Sequence, residues 1–98
     1  MGHSLQTQNV FTEARIRDAM AGDSEACFEL GVSYSAGADG YPLDLIAAHK
    51  WFNIAALGGN ERAMECRAEI AEEMSAREII EAQRQARALL AINVRHAA

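Results

Sequence analysis

An internal repetition at a spacing of 37 residues constrains the fold of this chain most strongly. Four positions around one turn and one helix start recur, as Ala19, Gly22, Asp23 and Ala26 and then as Ala56, Gly59, Asn60 and Ala63. Each copy combines a small-residue turn, a capping side chain and an alanine suited to close helix packing. A period between about 20 and 50 residues is typical of stacked helical repeats, whose units bury their apolar faces against neighbours. The sequence therefore predicts an all-α stack of helices.

Composition limits the size of the fold and the class of partner. The chain has 98 residues, of which 50% are hydrophobic, which suits one small domain with a modest core. A net charge of -5 disfavours nucleic acid or an anionic membrane as the partner. Acidic residues predominate between positions 61 and 73, and arginines predominate from position 77 onward. These two patches can face each other within one chain or between two.

The cysteines and the N-terminus bear on the compartment. Cys27 and Cys66 are the only cysteines, and each lies in a helical pattern among core or near-core residues, so we expect two reduced thiols. Residues 1–9 are polar and predict a flexible tail without the apolar core of a signal peptide. No apolar run reaches the ~18 to 20 residues of a membrane span. These features predict a cytoplasmic protein, with a periplasmic or secreted one left open if a signal was removed.

Apolar residues recur at three and four positions, which predicts five helices and no strand. The predicted helices cover about Val10 to Met20, with Phe11 available for burial, then from the cap at Asp23 or Ser24 to about Ser35, Leu45 to Leu57, Asn60 to about Met74, and from the cap at Ser75 toward Ile92. Asp23 or Ser24, Asp44 and Asn60 are the predicted N-caps. Ser75 followed by Glu78 predicts a capping box for a long fifth helix.

Fourteen positions of the central segment together resemble the Sel-one-like repeat, a relative of the tetratricopeptide repeat. They are Ala26, Leu30, Gly31, Tyr34, Gly37, Gly40, Asp44, Ala48, Trp51, Phe52, Ala55, Ala56, Gly59 and Ala63. The resemblance implies a right-handed superhelix of antiparallel helix pairs that serves as an adaptor for protein complexes, without common catalytic residues. Small single-repeat proteins of this kind look bacterial.

The resemblance has two departures and defines the predicted domain plan. The loop carries one additional residue, with Tyr41 where valine is usual, and Arg67 and Ala68 replace a second leucine-glycine pair. We therefore predict one domain over residues 10–98, with one complete repeat at about 22–59 and C-terminal capping helices at 61–92. The predicted packing core is Ala26, Leu30, Gly31, Tyr34, Ala48, Trp51, Phe52, Ala55, Ala56 and Ala63.

Two surfaces are candidates for binding a partner. Glu25, Glu29 and Ser33 lie four residues apart on the second helix, so they form either a solvated face or a groove for a basic or amide-rich segment. On the third helix, a second stripe beside the packing face needs cover and comprises Ile46, Lys50, Asn53, Ile54 and Leu57. Either the fifth helix folds back on this stripe or a second molecule covers it.

The fifth helix has an apolar seam of about three turns. The seam consists of Ile79, Ala82, Ala86, Leu89 and Leu90. It suits a helix that caps the end of a repeat stack, and its near-heptad spacing also permits pairing between chains.

Residues that could carry chemistry are scattered. His3, His49 and His96 do not pair with cysteine or carboxylate at a metal-ligand spacing, and the glycine-containing loop lacks the lysine and hydroxyl of a phosphate loop. A cysteine nucleophile would need His49 beside it. We therefore predict a non-catalytic module that binds a protein or peptide without a cofactor or metal. The alternative is homodimerisation through the apolar stripes of the third and fifth helices.

Overall fold

Five helices make up the part of the chain that this computed structural model describes, residues 13–97 with side chains up to residue 92. They are α1 (residues 13–20), α2 (Ser24–Ala36), α3 (Leu45–Leu57), α4 (Glu61–Ala71) and α5 (Ala76–Ala97). The described residues contain no strand, which confirms the all-α class. The predicted start of the first helix at Val10 lies outside the described residues, as do Phe11 and the predicted tail over residues 1–9.

Side-chain caps set where the central helices begin. The Asp23 carboxylate accepts hydrogen bonds from the amides of Glu25 and Ala26 at 3.0 and 3.1 Å. Asp44 accepts from the amide of the third residue of α3 at 3.1 Å. Each carboxylate accepts hydrogen bonds from amides that have no partner inside the helix. Its negative charge also lies near the positive N-terminal end of the helix dipole, which is stabilising. These contacts confirm Asp23 and Asp44 as N-caps.

The last two helices meet at a short turn. α4 ends at Ala71, three residues before the predicted end at Met74, and Met74 is buried in the turn that follows. Ser75 and Glu78 then form the predicted capping box, because the Glu78 amide donates to the Ser75 hydroxyl at 3.1 Å and the Ser75 amide donates to the Glu78 carboxylate at 2.8 Å. This reciprocal cap stops α4 from continuing into α5.

The two copies of the sequence repetition have the same local conformation. Gly22 and Gly59 have φ angles of 98° and 95°, in the left-handed region that favours glycine. One residue later, Asn60 accepts from the Ala63 amide at 2.9 Å, as Asp23 does from Ala26. The four repeated alanines are all buried. The spacing of 37 residues therefore corresponds to a repeated turn, cap and helix start.

α3 is the central helix of the fold. α2 and α3 run antiparallel, since Gly58, just after α3, lies against Ser24 at the start of α2. Gly31 of α2 packs directly on the Phe52 ring, and α4 packs on another side of α3. Of the ten residues predicted to pack the repeat, all are buried except Tyr34, which is half-buried against Tyr41.

α5 folds back on α3 within the same chain. It packs on α3 and, among the described residues, is in little direct contact with α4. Ala82 and Ala86 are fully buried, and small side chains permit two helices to approach closely. Ile54 of the third-helix stripe is also buried, while Leu57 remains 67% exposed. α5 packs on α3 within the chain, and Asn53 of the stripe accepts a hydrogen bond from Arg67 of α4, so helices of the same chain lie against this part of α3.

Replacing Gly31 by alanine is expected to destabilise the fold. An added Cβ would collide with the Phe52 ring, and overpacking of this kind typically costs about 1 to 3 kcal/mol, which exceeds the roughly 1 kcal/mol that alanine gains over glycine in a helix. Urea denaturation of Gly31→Ala measures the difference.

The double variant Gly31→Ala with Phe52→Leu is the matched control. If the collision is responsible, the alanine costs less stability when leucine replaces the ring. An equal cost in both backgrounds would contradict the proposed contact.

One of the buried residues of α3 has a polar side chain. His49 is 4% exposed, and its Nδ1 atom has no hydrogen-bond partner among the described residues. Burial lowers the pKa of His49 below its ordinary value, and the positive charge of Arg67 on α4 lowers it further. The ring is therefore neutral at neutral pH.

We expect the stability of the protein to fall as the pH drops below the ordinary pKa of histidine. The unfolded chain then takes up a proton that the folded chain binds less readily, so this contribution is complete above about pH 6.5 and is lost as the pH falls toward the lower pKa of the folded state. Urea denaturation between pH 8 and pH 5 measures it. His49→Leu should show a smaller decrease than the unmodified chain, and an identical decrease in both would contradict this assignment.

Candidate functional site

A concave site of about 330 Å³ lies along α2. Its lining comes from α1, α2, the loop after α2 and α4, and consists of Arg15, Glu25, Phe28, Glu29, Val32, Ser33, Asp39 and Arg62. Five of these eight residues belong to α2, at the three- and four-residue spacing that places side chains on one helix face. We call this site the α2 groove.

The floor of the α2 groove is apolar and is partly covered by an arginine. Phe28 is 6% exposed and Val32 is 41% exposed. The Arg62 guanidinium of α4 lies 4.5 Å from the centre of the Phe28 ring, a cation–π contact. Arg62 forms no ion pair with any described carboxylate, so the guanidinium N–H groups can donate to a ligand. The floor therefore offers one exposed aliphatic side chain beside a planar cation.

Arg15 closes one end of the α2 groove by joining three parts of the chain. Its guanidinium donates to the Ser33 hydroxyl at 3.1 Å and lies 3.4 Å from Glu29 and 3.5 Å from Asp39. The Ser33 hydroxyl in turn donates to Asp39 at 3.0 Å. Two of the three carboxylates of the groove are therefore already paired, and Glu25 is the one without an ion pair among the described residues.

The structure corrects the predicted position of Ser33. Ser33 was expected on an exposed face with Glu25 and Glu29, but it is only 1% exposed. The loop after α2 turns back and places Asp39 against the Ser33 hydroxyl, and Arg15 covers it from α1. Ser33 therefore holds the end of the groove together and is inaccessible to a partner, whereas Glu25 and Glu29 are exposed as expected.

The other predicted partner-binding residues do not form a surface. Ile54 is buried, and Ile46 and Lys50 are partly buried. The Lys50 ammonium lies 5.0 Å from the centre of the Trp51 ring, and burial lowers the pKa of Lys50 although Asp44 opposes the shift. Leu57 alone is largely exposed. The expectation that these residues present apolar anchors to a partner is wrong for Ile54, because packing within the chain buries it.

Sequence reasoning did not find Arg15, Asp39 and Arg62 as residues of the groove. They lie 18, 6 and 29 positions from Ser33, on separate elements, so no local spacing connects them. One available signal was the repetition itself, because Arg62 occupies the position that corresponds to Glu25 37 residues earlier. The charge of the groove therefore depends on tertiary packing.

Neither thiol is activated. Cys27 is buried, its sulfur lies 3.6 Å from the Ala19 carbonyl oxygen, and burial together with the charge of Asp23 raises the pKa of Cys27 to about 11. Burial also raises the pKa of the partly buried Cys66. Both cysteines are free. A nucleophilic or redox-sensing cysteine requires the opposite shift.

No group of three or more histidine, cysteine, aspartate or glutamate side chains in the described part of the chain is arranged to hold a metal ion. No helix among residues 13–97 is both long and apolar enough to cross a bilayer.

Comparison of the chain with known protein families, with curated proteins and with solved structures gives no match. The resemblance to the Sel-one-like repeat therefore rests on the sequence pattern alone.

Arg15→Gln is expected to loosen α1. The change removes the ion pairs with Glu29 and Asp39 and weakens the bond to Ser33, contacts that together are worth about 1 kcal/mol. Hydrogen exchange of the α1 amides should become faster, because α1 opens more often. Arg17→Gln, at an exposed position of the same helix, should leave the exchange unchanged. Equal exchange in both variants would contradict the role of Arg15.

Proposed function

We propose that this protein is a non-catalytic module of the Sel-one-like repeat type that binds an extended segment of a partner protein in the α2 groove. One observation carries the proposal: the groove brings Glu25, the exposed Val32 and the Arg62 guanidinium to one concave surface from two different helices. Glu25 accepts a hydrogen bond from the Asn60 side-chain amide at 3.5 Å and forms no ion pair with a described residue. Concave sites that combine apolar surface with a few polar groups are typical of ligand binding.

The chemistry of the groove defines the segment that would fit. An apolar side chain of the partner would cover Val32 and displace water from it. Glu25 would accept from a basic side chain, and Arg62 would donate to a backbone carbonyl while its other face stays on Phe28. The proposed ligand is therefore an extended segment with an aliphatic residue next to a lysine or arginine.

The rigidity of α2 supports this function. α2 packs on α3 along its length, and Asp23 and the loop at Gly37 define its two ends. A preformed groove loses little conformational freedom when a ligand binds.

The two free thiols support the proposed cytoplasmic location.

Homodimerisation through the third and fifth helices has less support. Ile54, Ala82, Ala86 and Leu89 are buried within a single chain, so these stripes are not free to meet a second copy. We therefore do not propose that interface.

Selection of random peptides on the immobilised protein tests the proposal. We expect enrichment of peptides in which an aliphatic residue neighbours a basic one. Glu25→Lys and Val32→Asp should each weaken binding of an enriched peptide by about tenfold or more, equivalent to about 1.4 kcal/mol. Titration calorimetry measures the affinities.

Glu73→Lys is the matched control, because it changes the charge by the same amount as Glu25→Lys. Glu73 is exposed and follows the C-terminal end of α4, whereas Arg62 lies at the N-terminal end. It should leave the affinity unchanged. Peptides without a shared pattern, or equal binding by the groove variants, would overturn the proposal.

A further inference from the structure

The outward faces of α4 and α5 carry opposite charges. On α4 and at the residue that follows it, exposed carboxylates lie three or four residues apart and form one row, which consists of Glu61, Glu65, Glu69 and Glu72. The buried side chains Ala63 and Ile70 are on the other side of this helix. We call these four residues the acidic row.

α5 has a basic counterpart. Arg77, Arg84 and Arg87 are exposed and share one face with Ile80, whereas Ala82, Ala86 and Leu89 on the opposite face are buried. Arg84 is paired with Glu81 of the same helix at 2.6 Å, while Arg77 and Arg87 form no ion pair with a described residue. We call the three arginines and Ile80 the basic row.

The two rows do not neutralise each other within one molecule. α4 and α5 each pack on α3, and among the described residues no ion pair joins an acidic-row carboxylate to a basic-row arginine. The four carboxylates of the acidic row also form no ion pair elsewhere in the described chain. The acidic row, together with Arg77 and Arg87 of the basic row, is therefore available to a charged partner.

The rows match in length and in apolar content. At about 1.5 Å per helical residue, each row spans about 15 Å. A large exposed apolar side chain accompanies each row. Ile80, within the basic row, is 62% exposed, and Met64, beside the acidic row, is 43% exposed. Apolar side chains surrounded by charge are a common composition for a protein interface.

We infer that the acidic row of one molecule binds the basic row of a second copy of the same chain. Opposite charges on two faces of one molecule favour contacts between copies, and like charges disfavour a contact of either row with itself. The contact uses neither the α2 groove nor the covered stripe of α3, so it does not depend on the proposed peptide binding. Exposed ion pairs contribute little each, so the association is weak and sensitive to salt.

Sedimentation of the unmodified protein at increasing concentration tests the inference. At an ionic strength of about 0.01 M, where charges interact over about 30 Å, the average mass should rise above the 10.6 kDa of one chain. At about 1 M, where this distance is about 3 Å, the mass should return to one chain. A single chain under both conditions, or association that salt does not weaken, would overturn the inference.

Charge reversal identifies the surfaces. Glu65→Arg with Glu69→Arg reduces the charge of the acidic row from -4 to zero, and Arg77→Glu with Arg87→Glu changes that of the basic row from +3 to -1. Each double variant should lose the association, because one of its rows no longer attracts the other. An equal mixture of the two variants should associate again, since the first keeps the basic row and the second keeps the acidic row. Failure of the mixture to associate would overturn the inference.

A control variant separates the effect of the two rows on association from the effect of net charge. Glu13→Arg with Asp18→Arg alters two exposed positions on α1 and shifts the net charge by the same four units as the acidic-row variant, from -5 to -1. This control should associate as the unmodified protein does, and loss of association in it would count against the two rows. All the substituted residues except those of the control lie on α4 or α5, and all are exposed, so circular dichroism should show an unchanged helical content.

Discussion

The contact between Gly31 and the Phe52 ring is the constraint on which the rest of the structure depends. It brings α2 and α3 closer than any residue with a Cβ at position 31 would allow. α3 is thereby placed at the centre, where α2, α4 and α5 each pack against a different part of its surface. Eight of the residues of α3 are buried as a result, including a histidine whose Nδ1 has no partner among the described residues.

The arrangement around α3 also determines which surfaces are free. The side of α2 that bears Glu25, Glu29 and Val32 remains open and forms the α2 groove, with Arg15 and Arg62 supplied by the neighbouring helices. Because α5 covers α3 rather than pairing closely with α4, the outward faces of α4 and α5 keep their opposite charges. Peptide binding and self-association would thus use different side chains, with α4 contributing Arg62 to the groove and its carboxylates to the acidic row.

The buried ionisable groups are explained by packing. Burial raises the pKa of both thiols and lowers the pKa of His49, so each is neutral at neutral pH. Neutral groups can be enclosed at a much smaller cost than charged ones. The charged side chains that could bind a partner therefore lie on the surface.

The sequence by itself determined the helices, because their signals are local. Asp44 caps a helix that begins and ends where the pattern predicts, and the box of Ser75 and Glu78 depends on residues three positions apart. Only the tertiary structure decided that Ser33 is covered by Asp39 and Arg15, that Ile54 is buried within the chain, and that Arg62 reaches Phe28. These contacts join side chains on separate elements, and which elements become neighbours depends on how α2, α4 and α5 share the surface of α3.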